Sequence, residues 1–211
     1  MVANLNVIID AWNDGDLIPD EYAFCNPADK RHITMGANIS PAISWTDAPG
    51  GTKSFAILCN DPDVPSTIDD VNQEGKTIPA DLPRVDFCHW SLVDIPASVT
   101  SLEKGADSDG ITPGGKPFGP TKMGVRGINR YTEWFHDDEQ MAGNYGGYDG
   151  PCPPWNDTIL HHYVFTVYAL NTMSLGLNGP FSCQEVLQAM KGYVLAEGSY
   201  TGTYTLNPDL R

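Results

Sequence analysis

The chain has little positive charge, no long apolar run and no paired-cysteine motif, and each shortage removes a class of function. Lys and Arg number 12 against 27 Asp and Glu, a formal charge of −15. Such a surface repels nucleic acid and anionic lipid at long range, so an anion must be held by a few placed donors rather than by a basic patch. No stretch approaches the ~20 apolar residues needed to cross a bilayer. The opening MVANLNVIIDAWNDGDLIPDEY has neither the positive charge nor the apolar centre of a secretory signal, so a cytoplasmic location is expected. The five cysteines are odd in number and lack CxxC spacing, so neither a disulfide framework nor a structural zinc site is expected. Cys59 and Cys88 lie inside apolar runs and read as small buried side chains.

What is abundant is turn chemistry. With 21 Gly and 17 Pro in 211 residues, the composition favours strands and elaborated loops, and the length fits one domain spanning 1–211. Strands are expected at Ala42–Trp45, Ser54–Cys59, Val85–Ile95, His161–Leu170 and Ser199–Leu206, where β-branched and aromatic residues cluster between breakers. One helix is expected over about 183–197. Ser182 and Glu185 have capping-box spacing, Val186, Leu187, Met190, Tyr193 and Val194 form one stripe, and Gly198 marks the end. Long loops fill 66–84 and 105–155, which points to function or to short elements within them.

Several motifs carry chemistry. The stretch GITPGGKP (Gly110–Pro117) nearly spells a phosphate-binding loop, but Pro117 replaces the hydroxyl residue and no strand leads into it, so a plain turn is the better reading. In DPDVPS (Asp61–Ser66) prolines hold two aspartates rigidly at a strand end, unless these merely satisfy local N–H groups. His89 sits mid-strand, where alternation groups it with Val85, Phe87, Ser91 and Val93; alone it reads as a core histidine, but beside a carboxylate it becomes a charged donor. Period two puts His161 and Tyr163 on one face, roughly 6–7 Å apart, and His162 on the other. The rigid GYDGPCPPWND (Gly147–Asp157) demands a specific backbone shape, with a cis bond at Pro154 as one way to reach it.

Taken in order, DPDVPS, the His89-Trp90 strand ending in Asp-Ile-Pro, GYDGPCPP and H-x-Y-x-F-x-x-Y-A-L resemble the phosphatidylethanolamine-binding protein family, in particular its bacterial Raf-kinase-inhibitor-like branch. The likeness runs from about Pro41 to Thr205–Pro208. It implies a mainly β fold: a β-sandwich with a few short helices, and a small pocket near one end. It also implies that Asp61, His89, Pro154, His161 and Tyr163 line an anion site, with Asp63 in support. The 69–84 loop is longer than the family's compact version and is read as a lid or a subunit contact, and a homodimer or modulation of a protein partner is a separate expectation. Kinase inhibition, a property of some relatives, does not transfer to this chain on resemblance alone.

The chemistry expected is non-enzymatic binding of a small anion, phosphate or a headgroup such as phosphoethanolamine, without metal or cofactor. His89, His161 and Tyr163 supply donors, each charge-assisted bond being worth roughly 1.5–3 kcal/mol. Asp61 either orients and charges His89 or shares a proton with the phosphate, and binding strengthens below pH ~6.5. The alternatives are a hydrolase using an Asp61/His89 acid–base pair with Cys152 as nucleophile, and a metal held by Asp61, His89 and His161.

Overall fold

The computed structural model describes residues 2–211. Its strands are β1 (Ala3–Asn4), β2 (Asn6–Ile8), β3 (Cys25–Ala28), β4 (His32–Met35), β5 (Ile43–Thr46), β6 (Ser54–Pro65), β7 (Arg84–Pro96), β8 (Ser101–Leu102), β9 (Gly119–Pro120), β10 (Val125–Arg126), β11 (His161–Leu170) and β12 (Val194–Tyr204), with helices α1 (Tyr131–Trp134) and α2 (Cys183–Ala189). Strands form a sheet in the order β1-β12-β11-β6-β7-β10-β9, a smaller sheet β2-β5-β8 and a hairpin β3-β4. The main core joins the two sheets, with Val7, Ile43, Trp45 and Leu102 of the small sheet meeting Phe55, Ile57, Trp90, Leu92, Phe165 and Val167 of the large one. Each such side chain, fully buried, contributes about 1.5–3 kcal/mol. The opposite face of the large sheet buries Ala56, Leu58, Cys88, Val93 and Leu170 under Val186 of α2 and Met190, which caps it. This is the mainly β architecture expected.

The helix is shorter than expected. The capping box forms as read, with Ser182 accepting from the Glu185 N–H and Glu185 accepting from the Ser182 N–H, but α2 ends at Ala189. Gly192, at φ +83°, turns the chain out of the helix, and Val194 onward joins β12 instead. The apolar stripe was misleading because only Val186 and Met190 are buried, while Leu187 and Tyr193 are 39% and 45% exposed.

β6 runs past its expected end at Cys59 to Pro65. Beyond Asn60 it pairs with β7 alone, and there the ladder skips a residue between Asp61 and Val64, accommodating Pro62 in a bulge. A second bulge lies opposite: Cys59 pairs with Trp90 and Asn60 with Cys88, which leaves His89 as the extra residue. The inserted residue breaks the alternation assumed from sequence. Phe87, His89 and Trp90 all pack toward the main-core side, whereas Cys88 and Val93 face α2. The bulges aim the side chains that matter most below.

Candidate ligand-binding site

A cavity of about 160 Å³ opens at the end of the sandwich where β6, β7 and β11 carry their polar residues. His89 and Tyr163 form its polar part, and Phe24, Phe87, Tyr131, Phe135, Pro153 and Pro154 wall it. The aromatic wall is braced internally: Phe24 stacks on Tyr131 at 4.5 Å between ring centres, and the Tyr131 hydroxyl donates to the Gly150 carbonyl at 2.8 Å. Gly150 is required because any side chain there would run into the Tyr22 carbonyl. Ile68, Val71 and Asn72 of the 66–84 loop also line the cavity, so that loop supplies a wall. It is tied down by Asn156, whose Nδ2 donates to the Asp70 and Lys76 carbonyls at 2.8 and 3.1 Å.

His89 Nδ1 lies 2.8 Å from the Asp149 carbonyl. A carbonyl only accepts, so Nδ1 carries the proton and Nε2 of the neutral ring keeps a lone pair. Among the described residues Nε2 has no hydrogen-bond partner. Burial pushes the His89 pKa down despite the raising influence of Asp61, so the ring is neutral at pH 7. The expectation of a charged, donating His89 in the free protein is therefore corrected. The Asp149 carboxylate behind it is saturated, accepting from Asn38, Lys116 and Asn129 at 2.7, 2.5 and 2.8 Å.

Asp61 does not hold His89. Its Oδ2 lies 2.7 Å from His161 Nδ1, and its Oδ1 accepts from the Asp63 N–H at 2.8 Å. The other His161 nitrogen meets Asp157 Oδ2 at 3.1 Å. Asp157 in turn takes Arg84 through both guanidinium nitrogens, at 2.5 and 3.1 Å. His161 thus faces carboxylates on both sides. Burial alone would depress its pKa, but the bonds to Asp157 and Asp61 overcome this and raise it to about 9. Arg84, Asp157, His161 and Asp61 form a buried row of alternating charge, and His161 is consumed in it rather than free for a ligand. Asp63 fixes the neighbouring exposed His162, accepting from its backbone N–H at 2.8 Å.

Tyr163 points inward beside His161, as period two requires, with its ring edge-on to His89 at 5.0 Å. Its hydroxyl is buried without a hydrogen-bond partner among the described residues. Burial, and secondarily the charge of Asp61, push its pKa far above the usual phenol value, so it remains a donor. Pro154 lines the cavity, but in the trans form: the described residues contain no cis peptide bond.

The cysteines remove the nucleophile suggested for the hydrolase alternative. Cys25 is bonded to Cys152 and Cys88 to Cys183, with Cα separations of 4.8 and 6.2 Å, and only Cys59 is free. Cys152 is thus no nucleophile, and Asp61 and His89 are not a bonded acid–base pair. Among the described residues no group of three or more His, Cys, Asp or Glu is arranged to hold a metal ion. Sequence reading missed Asp157 and Arg84. The signal for Asp157 was present, since it stands four residues before His161 at the end of the proline loop.

A family model described as phosphatidylethanolamine-binding protein matches residues 9–205. A UPF0098 protein of Methanothermobacter thermautotrophicus is 34% identical over 200 residues, covering 95% of this chain and 98% of that protein. The crystal structure of Escherichia coli YbcL, described as a new member of the mammalian PEBP family, matches with a TM-score of 0.68 at 27% identity, covering 96% of this chain and 99% of that one. The PEBP homolog CT736 of Chlamydia trachomatis matches with a TM-score of 0.63 at 24% identity, over 95% and 97% of the two chains.

Proposed function

The chain belongs to the phosphatidylethanolamine-binding protein family, and from that premise we propose that it binds, without catalysis, a small ligand bearing a phosphate-type oxyanion at His89 and Tyr163. One observation carries the reading: the buried, unpartnered Tyr163 hydroxyl and His89, whose ring is bonded only through Nδ1, line the same mostly apolar cavity. A buried hydroxyl without a partner costs about 1–3 kcal/mol, a penalty relieved by a ligand that accepts its hydrogen bond. The small volume suits a headgroup rather than a bulky substrate. Asp61 stands close behind, but the row through His161, Asp157 and Arg84 balances its charge, so no net negative charge confronts the anion.

No Lys or Arg lines this cavity. A dianion therefore enters with a proton, shared between its oxygen and His89 Nε2. His89 is neutral when empty and charged or proton-sharing when filled, so binding of a dianion takes up about one proton, and affinity for phosphoethanolamine rises, by up to about tenfold per unit, as the pH falls through neutrality. Titration calorimetry of phosphate and phosphoethanolamine in buffers of different ionisation enthalpy measures both. His89→Ala is expected to weaken binding about 10- to 100-fold and abolish the proton uptake. Equal affinity in wild type and variant, or none in either, removes the proposal.

Tyr163→Phe separates binding from folding. Removing a hydroxyl that lacks a well-formed hydrogen bond, with the Asp61 carboxylate as its polar neighbour, changes stability by less than about 1 kcal/mol. The same change is expected to weaken phosphoethanolamine severalfold. A loss of more than about 1 kcal/mol in chemical denaturation would show that the hydroxyl serves the empty protein instead.

A further inference from the structure

Beside the cavity runs a groove of about 460 Å³ on the β3-β4 hairpin, lined by Cys25, Ala28, Lys30, Arg31, Thr34 and their neighbours. It adjoins the cavity, since Cys25, Ile33 and Met35 line both. Seven of the chain's 12 Lys and Arg pair with carboxylates, as an acidic protein dictates, but Lys30 and Arg31 have no side-chain partner among the described residues. Two adjacent cations without a side-chain partner thus line a groove that adjoins the cavity.

The hairpin carrying them is held in place. His32, at φ +61°, ends its turn, stacks on Trp155 with ring centres 3.8 Å apart, and pairs with Glu74 of the 66–84 loop at 2.7 Å. That clamp occupies His32 and Glu74 with each other and leaves Lys30 and Arg31 exposed at the groove. Asp29, also exposed in the turn, does not line it.

We propose that Lys30 and Arg31 form a second anion subsite, so that the ligand is a small molecule with two phosphate or carboxylate groups, one in the cavity and one in the groove. The inference rests on the cavity reading for the first group. A charge of −15 disfavours a large acidic macromolecule at long range, whereas a small doubly anionic ligand needs only local compensation. Because these cations are exposed, their contribution falls steeply with salt, while that of the buried pair does not.

The test compares a series of alkanediol bisphosphates with the matching alkyl monophosphates. At low salt the best-fitting bisphosphate is expected to bind wild type roughly tenfold more tightly than its monophosphate. That advantage disappears in Lys30→Gln/Arg31→Gln and in high salt, but survives in Lys122→Gln/Lys191→Gln, which changes net charge equally at other sites. Monophosphate binding that depends on His89 with no bisphosphate advantage overturns the second subsite and leaves the cavity reading intact. A bisphosphate that binds through Lys30 and Arg31 while monophosphates ignore His89 supports the groove and removes the cavity reading. Failure of every ligand removes both.

Discussion

Asp157→Ala is expected to destabilise the protein by about 3–5 kcal/mol, because it takes the carboxylate from the half-buried Arg84 and one of two carboxylates from the buried His161. Arg84 loses its bidentate carboxylate and His161 loses one of its two partners. The wild-type pH dependence follows from the same row. His161 has its folded pKa raised to about 9, so its contribution is fully present below ~6.5, the unfolded value, and fades as pH climbs through 9. That loss is on the order of 3 kcal/mol. Asp157 works in the opposite sense. Burial raises its pKa, but the bonds from His161 and Arg84 outweigh this and lower it, so its contribution holds above ~4 and is lost on acidification. Urea unfolding of wild type and variant from acid to alkaline pH reads both effects. A variant within about 1 kcal/mol of wild type at pH 6 would show the row to be energetically idle.

Reduction of the two disulfides is expected to cost about 2–4 kcal/mol each and to weaken ligand binding with it. They close long loops, joining residues 127 and 95 positions apart. Each also touches the site. Cys152 directly precedes the Pro153-Pro154 wall, and Cys88 directly precedes His89 in its bulge. Thermal melts with and without a strong phosphine reductant measure the stability, and calorimetry the binding. Alkylation of unfolded, unreduced protein should label one cysteine, Cys59; five labelled cysteines would contradict the pairing.

The strands were largely legible because β-branched and aromatic clusters between prolines have few other uses. His161–Leu170 came out residue for residue. What stayed hidden were events in the partner strand or far along the chain. The bulge at His89 depends on how β6 pairs with β7, and nothing in FCHWSL itself announces an inserted residue. The helix overran because its stripe looked the same in sequence whether or not Gly192 turned the chain. The candidate site residues were named in large part by resemblance, yet their wiring was not. Sequence supplied an Asp and two histidines without saying that Asp61 prefers His161, or that Arg84, at the mouth of a long loop, reaches Asp157. The cysteine pairs were invisible for the same reason, each joining segments with no local spacing rule.

The imidazole nitrogen resonances of His89, followed by ¹⁵N NMR at pH 7 as phosphoethanolamine is added, probe the proton directly. In the empty protein Nε2 should resonate as an unprotonated, lone-pair nitrogen and move toward the protonated value at saturation, with Nδ1 staying protonated throughout. An Nε2 signal that does not move while the ligand binds would place the anion elsewhere and contradict the site.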